Sequence, residues 1–226
     1  MACDFDEPEK LFDFLDLFRD KKPFVKIGME LFYGNGPQIV REIKRRGHKI
    51  FLDLKLHDIP NTVHKSMRKL AELNVDMVNV HAAGSIAMME AAARALKEKN
   101  SDAVLLAVTQ LTSTTEEVMN KELWIDHPME DTVRHYAMNA KAAGCRGVVC
   151  SPLEAAAVKE VCGEDFLTVT PGIRFADDDK GDQKRVTTPA KAKELGSSYI
   201  VVGRSITSAA DPVKAYERAC AEFEED

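Results

Sequence analysis

With 226 residues, 45% hydrophobic and 30% charged, the chain has the composition of an ordinary soluble globular protein, long enough for one large domain. Its net charge of −6 argues against a general nucleic-acid binder but leaves room for a local basic pocket for a small anion. The five cysteines (Cys3, Cys145, Cys150, Cys162 and Cys220) are odd in number, match no zinc spacing, and read as reduced, packed thiols. Met1-Ala2-Cys3-Asp4 leaves no room for a signal peptide, and no apolar run approaches membrane-spanning length. The expected location is therefore the cytoplasm, with neither membrane nor nucleic acid as partner.

In chain order, Ala2-Cys3-Asp4-Phe5 is a brief first strand, and Leu11, Leu15 and Phe18 then repeat at helical spacing behind Pro8. Phe24 to Gly28 is the second strand. A helix follows Asn35-Gly36-Pro37, with proline near its start, and ends at Gly47. His48 to Leu56 is the third strand, with a helix over about 61–73 behind it, and Val75 to Val80 is the fourth. Ile86, Met89, Ala93 and Leu96 form the next helical stripe, read as core. Ala103 to Val108 is the fifth strand, and a longer connection carries a short helix at Glu116-Glu117-Val118-Met119. A helix over about 128–142 closes at Gly144, Gly147 to Cys150 is the sixth strand, and a helix over about 153–161 follows. Phe166 to Thr170 is the seventh strand, Thr188-Pro189 opens a helix, and Ile200 to Val202 is the eighth strand. Asp211-Pro212 caps a last helix with the stripe Val213, Tyr216, Cys220 and Phe223.

Eight strands alternating with eight helices, without a linker or composition break, predict a parallel sheet closed into a (β/α)8 TIM barrel of the α/β class, one domain over residues 1–226. An open doubly wound sheet is the alternative, but its G-x-G-x-x-G turn is lacking.

In such barrels the chemistry lies at the C-terminal ends of the strands. Polar residues collect there: Asp4, Lys26, Asp53 with Lys55, His81, Thr109 with Thr112, Ser151, Thr170-Pro171 and Gly203-Arg204. Polar loops after strands are ordinary; charges within the second and third strands are not. Residues two apart on a strand share a face, so Asp53 and Lys55 project side by side, and Asp58 follows where Ile59-Pro60-Asn61 breaks the strand. A buried ion-pair cluster serving only stability is the competing reading, yet such clusters seldom improve on apolar packing.

A second constellation is Arg174, Gln183 and Val202-Gly203-Arg204-Ser205-Ile206. The loops after the last two strands of a barrel often hold phosphate, glycine lets backbone approach an anion, and a guanidinium suits phosphate oxygens. The charged run from Phe175 to Asp182, which carries Gly181, reads as a mobile lid or as a merely solvated loop. His57 and His81 read as hydrogen-bonding supports rather than catalysts, and Cys145 and Cys150 as core thiols.

The stretch Asp53-Leu54-Lys55-Leu56-His57-Asp58-Ile59-Pro60-Asn61-Thr62 closely resembles the signature of the orotidine 5'-monophosphate decarboxylases in their bacterial form. Agreement extends in order through Phe24 to Glu30, Val108 to Ser113, Thr170 to Arg174, Asp182 to Val186 and Val201 to Thr207. The resemblance implies a charged tetrad of Lys26, Asp53, Lys55 and Asp58, with Lys55 the proton donor. It implies a homodimer in which Asp58 and Thr62 reach into the partner's site. It places Asp4 and Lys26 at the ribose, Thr112 at the pyrimidine with Ser113 beside it, and Arg174, Gln183, Gly203 and Arg204 around the phosphate. Cys3 stands where the family usually has leucine, and few residues precede Asp4, so a short first strand is expected.

The implied reaction is loss of CO2 from C6 of orotidine 5'-monophosphate to give UMP, the last step of de novo pyrimidine biosynthesis. It is expected to run without cofactor or metal, since the chain shows no motif for an electron sink. Asp53 would face the substrate carboxylate, Lys55 would stabilise and protonate the C6 carbanion, and Asp53 and Asp58 would keep Lys55 charged. The nearest rival is a Mg2+-dependent sugar-phosphate decarboxylase or hexulose-phosphate synthase of the same superfamily. Those relatives share D-x-K-x-x-D but carry an acidic residue where Lys26 stands. A non-catalytic nucleotide sensor on the same barrel is disfavoured by the fully occupied tetrad.

Overall fold

The computed structural model describes residues 1–178 and 186–224. Seven strands lie in chain order in one sheet, every neighbouring pair parallel. They are β1 (Val25–Ile27), β2 (Ile50–Leu56), β3 (Met77–His81), β4 (Val104–Val108), β5 (Gly147–Val149), β6 (Leu167–Ile173) and β7 (Tyr199–Val202). The first helices are α1 (Pro8–Asp16), α2 (Met29–Asn35), α3 (Pro37–Arg45), α4 (Pro60–Ala71) and α5 (Ser85–Glu98). The connection after β4 carries α6 (Glu116–Lys121), followed by α7 (Met129–Ala142) and α8 (Ala155–Cys162). The chain ends with α9 (Pro189–Glu194), α10 (Arg204–Thr207) and α11 (Pro212–Glu224). No helix among the described residues is long and apolar enough to cross a membrane.

The expected first strand contracts to one rung, and that rung closes the barrel. Ala2 pairs in parallel with Lys26, Cys3 N–H donates to the Lys26 carbonyl (3.0 Å), and Ala2 N–H donates to the Val202 carbonyl (2.7 Å). Residues 1–3 therefore bridge β7 to β1, completing the predicted eight-fold circuit with a segment too short to count as a strand. Cys3 is fully buried, filling with a thiol the core position expected to hold leucine, and burial pushes that thiol up to about 12.

Alternation along the strands divides the core. Phe51, Met77, Leu106 and Val169 form a cluster within the barrel, while Leu52, Leu54, Val78 and Val80 join the larger cluster under the helices. Asp53 and Asn79 lie two residues beyond Phe51 and Met77 on the same strand faces, so they stand above this apolar floor, at the mouth. The helices begin where the sequence marks them. Proline occupies the first turn of α1, α3, α4 and α9, and Thr115, Thr188 and Asp211 accept backbone N–H groups at the starts of α6, α9 and α11.

Two expectations are corrected. A further helix, α2, precedes Gly36, so the second crossover holds two helices. The buried face of α5 is Met88, Met89, Ala91, Ala92, Ala95 and Leu96, whereas Ile86 at the head of the expected stripe is 38% exposed.

Candidate active site

The C-terminal rim carries an unbroken row of charges. Lys26 Nζ, from the centre of β1, lies 3.1 Å from Asp4 Oδ1 and 3.4 Å from Asp53 Oδ2. Asp53 Oδ1 in turn accepts from Lys55 Nζ at 2.7 Å. The order Asp4–Lys26–Asp53–Lys55 therefore alternates in sign, with the Lys26 and Asp53 side chains only 15% and 11% exposed. Gly28 admits this crowding, because a Cβ there would lie 3.3 Å from Asp4 Oδ1 and 3.5 Å from Lys26 Nζ.

Burial opposes charge on both central groups, but their neighbours outweigh it. Lys26 is held above its ordinary pKa by Asp53 and Asp4, and Asp53 below its own by Lys26, Lys55 and a hydrogen bond from Asn79. By linkage, the stability contributed by Asp53 is present above its unfolded pKa and disappears as pH falls through the lower folded value. That contributed by Lys26 is present below its unfolded pKa and disappears as pH rises through the raised folded value. The difference in Tm between wild type and Asp53→Asn should therefore shift against wild type on acidification below about pH 4. Melts showing a pH-independent difference would contradict the ion-pair assignment.

Lys55 departs from the expected regular strand. Its φ is +50°, a left-handed conformation that costs a residue bearing a side chain about 1–2 kcal/mol. The register of β2 against β3 jumps from Leu52↔Val78 to Leu56↔Val80, so Asp53, Leu54 and Lys55 together span Asn79. Asn79 was not legible as a site residue. Its amide oxygen accepts the Lys55 N–H at 2.8 Å and its amide nitrogen donates to Asp53 Oδ1 at 2.7 Å. The one available signal was an uncharged polar residue between Val78 and Val80 in an otherwise apolar strand end.

Asp58 does not join the row within this chain. It is exposed, and its Oδ1 accepts the N–H of Ile59 at 2.7 Å. Thr62, in the first turn of α4, is exposed as well, and Ile59 between them is 66% exposed. Thr112 sits half-buried in the turn after β4, with exposed Ser113 next to it.

The second constellation forms across β6 and β7. Gly172, at φ +82°, lets β6 bulge between Thr170↔Ile200 and Ile173↔Val202, which delivers Arg174 to the rim. The Arg174 guanidinium donates to the Ile173 carbonyl at 2.9 Å. Burial and the neighbouring Arg204 lower its pKa, against the opposing pull of Asp178. Two cations near enough to disfavour one another therefore stand together at a rim where Gly203 leads into α10. Both line a cleft of about 580 Å³ shared with Phe175, Ser205, Lys214 and Arg218. Gln183 lies outside the described residues, as does the second half of the expected lid, residues 179–182. The described start of that segment is anchored: Phe175 is 5% exposed beneath the Arg218 guanidinium (4.1 Å), which also pairs with Asp177 at 2.9 Å.

Several rim residues serve the fold instead. Thr109 donates to the Val149 carbonyl, Ser151 caps the turn at Pro152–Glu154, and Thr170 donates to Ser197. His57 and His81 pack ring against ring, 5.4 Å between centroids, and burial, His57 and Lys55 lower the His81 pKa. Cys145 and Cys150 are buried, as expected.

A family model described as "Orotidine 5'-phosphate decarboxylase / HUMPS family" matches residues 1–219. Proteins named orotidine 5'-phosphate decarboxylase from Bacillus cytotoxicus and Bacillus mycoides are each 55% identical over 228 aligned positions, covering 99% of this chain and 96% of theirs. Among solved structures, an uncharacterized conserved protein from Geobacillus kaustophilus superposes with a TM-score of 0.88 at 49% identity, covering 98% of both chains. The orotidine 5'-phosphate decarboxylase of Lactobacillus acidophilus gives 0.87 at 44%, covering 98% of this chain and 96% of its own. A match running from the first residue into α11, on a closed barrel with the charged row at its mouth, places this chain in the orotidine 5'-phosphate decarboxylase / HUMPS family.

Proposed function

We infer that this chain decarboxylates orotidine 5'-monophosphate to UMP, a step of pyrimidine biosynthesis, and that its own charged row performs the chemistry without metal or organic cofactor. The observation that carries the reading is Lys55 Nζ held 2.7 Å from Asp53, with Lys26 on the other carboxylate oxygen. Breaking the C6–CO2 bond leaves the electron pair on C6, in an sp2 orbital that the ring carbonyls do not delocalise. A preorganised ammonium beside that carbon stabilises the charge as it develops, in a partly dehydrated mouth where the interaction is strong. Lys55 then transfers a proton to C6 and recovers one from solvent. Asp53 has the complementary role, lying where the substrate carboxylate enters and holding Lys55 aimed.

Asp4 and Lys26 take the ribose hydroxyls and Thr112 the pyrimidine edge. Arg174, Gln183, Gly203 and Arg204 hold the phosphate, far enough from C6 that its binding energy can be used to organise the site. The working unit is a homodimer in the cytoplasm. Exposed Asp58, Ile59 and Thr62 support that reading, since the Asp58 carboxylate bonds the Ile59 N–H rather than Lys55 within its own chain while the exposed Ile59 offers apolar surface to a second copy.

Purified protein mixed with orotidine 5'-monophosphate should change the pyrimidine absorbance at a rate unaltered by EDTA. A rate abolished by chelation and restored by Mg2+ would overturn cofactor independence and favour the sugar-phosphate branch of the family. No turnover at all would overturn the reaction assignment.

A further inference from the structure

We propose that Asn79 is a positioning residue for this reaction: its buried amide holds Lys55 in the left-handed, bulged conformation and selects which oxygen of Asp53 faces the ammonium. The inference rests on the decarboxylase reading above and adds a residue to its machinery.

Where three residues of β2 span one residue of β3, the bulged strand loses regular ladder partners. The Lys55 N–H is then a part-buried donor left to find a partner outside the ladder. Asn79 Oδ1 takes it at 2.8 Å, standing in for a strand carbonyl. A left-handed backbone at a residue with a long side chain persists only where its surroundings over-determine it, and this hydrogen bond is the contact that does so.

The other end of the amide completes the tether. Nδ2 donates to Asp53 Oδ1 at 2.7 Å, the same oxygen that accepts Lys55 Nζ, while Oδ2 faces Lys26 at 3.4 Å. The direction of the amide follows from its partners: a peptide N–H only donates and an ionised carboxylate only accepts. Asn79 is 1% exposed, so water cannot readily substitute for either contact. Few side chains of this length supply one acceptor and one donor in that polarity. Aspartate keeps the acceptor and loses the donor; leucine keeps the approximate shape and loses both. The charged and titratable neighbours of the tethered pair are Lys26 and, beyond it, Asp4, together with the His81 imidazole at the end of β3.

The test compares Asn79→Leu and Asn79→Asp with wild type in turnover of orotidine 5'-monophosphate, Tm, pH profile and crystal structure. Asn79→Leu should lower kcat by about 10²-fold, the effect of misplacing a reacting group by roughly an ångström. KM should stay near wild type, because the phosphate contacts at β6 and β7 are untouched. Lys55 should return to negative φ in that variant. Asn79→Asp should recover part of the lost kcat, yet move the acid limb of its profile to higher pH, because a second carboxylate beside Asp53 disfavours ionisation of the pair. Activity that falls only as far as the folded fraction, an unmoved acid limb in Asn79→Asp, or an unchanged Lys55 φ in Asn79→Leu would each overturn the proposal. If Asn79→Leu does not fold, the aspartate variant and its acid limb decide. Should wild type itself fail to turn over, the reaction assignment falls separately, and the Lys55 backbone in the two variant structures still tests the tether.

Discussion

Lys55→Ala is expected to lower kcat by at least about 10⁴-fold while leaving the barrel folded. On the proposed mechanism the substitution removes two contributions together: the ammonium that would face charge developing at C6, and the acid that would deliver the proton. General acids contribute about 10²–10⁴-fold and a preorganised electrostatic donor about 10²–10³-fold, so their joint loss is large even when the two are not additive. Stability should change little by comparison. Lys55 is partly exposed and outside the apolar clusters, and alanine can keep both the left-handed backbone and the N–H bond to Asn79. Asp53 retains Lys26 at 3.4 Å and the Asn79 amide at 2.7 Å, so no unpaired buried carboxylate is left behind. Stopped-flow or extended steady-state turnover, read beside circular dichroism and Tm, separates the two outcomes. Turnover near that of wild type in a folded variant would sink the assignment of Lys55.

The second large effect concerns the opposite side of the mouth. Arg204→Ala should reduce kcat/KM for orotidine 5'-monophosphate by about 10²-fold, in line with losing a charge-assisted contact of about 1.5–3 kcal/mol. For the nucleoside lacking phosphate, the same variant should be close to wild type. Arg174 remains in the variant, and with Arg204 gone the like charge that lowers its pKa is relieved. A residual, salt-sensitive preference for the phosphorylated substrate should therefore survive and vanish when Arg174 is also replaced. Equal losses on the phosphorylated and phosphate-free compounds would argue that Arg204 supports the fold of α10 rather than the anion.

Much of this site was legible because its residues break local rules. Lys26 and the pair Asp53 and Lys55 put charge inside strands that otherwise read as apolar, and Gly203-Arg204 put a flexible cation after the last strand. Asn79 was not legible, since one asparagine near a strand end is unremarkable until its two partners are placed. The left-handed turn at Lys55 was equally hidden. Regular alternation already set Asp53 and Lys55 on one face, and nothing in the local composition requires a bulge there. Polar rim residues such as Ser151 and Thr170 looked like site candidates by position alone. Whether such a hydroxyl meets a ligand or a neighbouring loop is decided by contacts some thirty residues away, as Thr170 with Ser197 illustrates.

By itself the sequence determined the alternating elements, their parallel order and the end of the barrel at which charge collects. Those follow from hydrophobic period, proline and capping residues, which act over a few positions along the chain. Its family motifs also singled out Lys26, Asp53 and Lys55, the charges that the fold brings together at the mouth. Only the tertiary structure decided how the circuit closes, through a single rung at Ala2 between Lys26 and Val202. It alone set the alternation of Asp4, Lys26, Asp53 and Lys55 into one connected row and kept Asp58 apart from it. The reason is physical: hydrogen-bond partners across a parallel barrel come from strands twenty or more residues apart, and a bulge or a shared carboxylate oxygen exists only once those strands are in register.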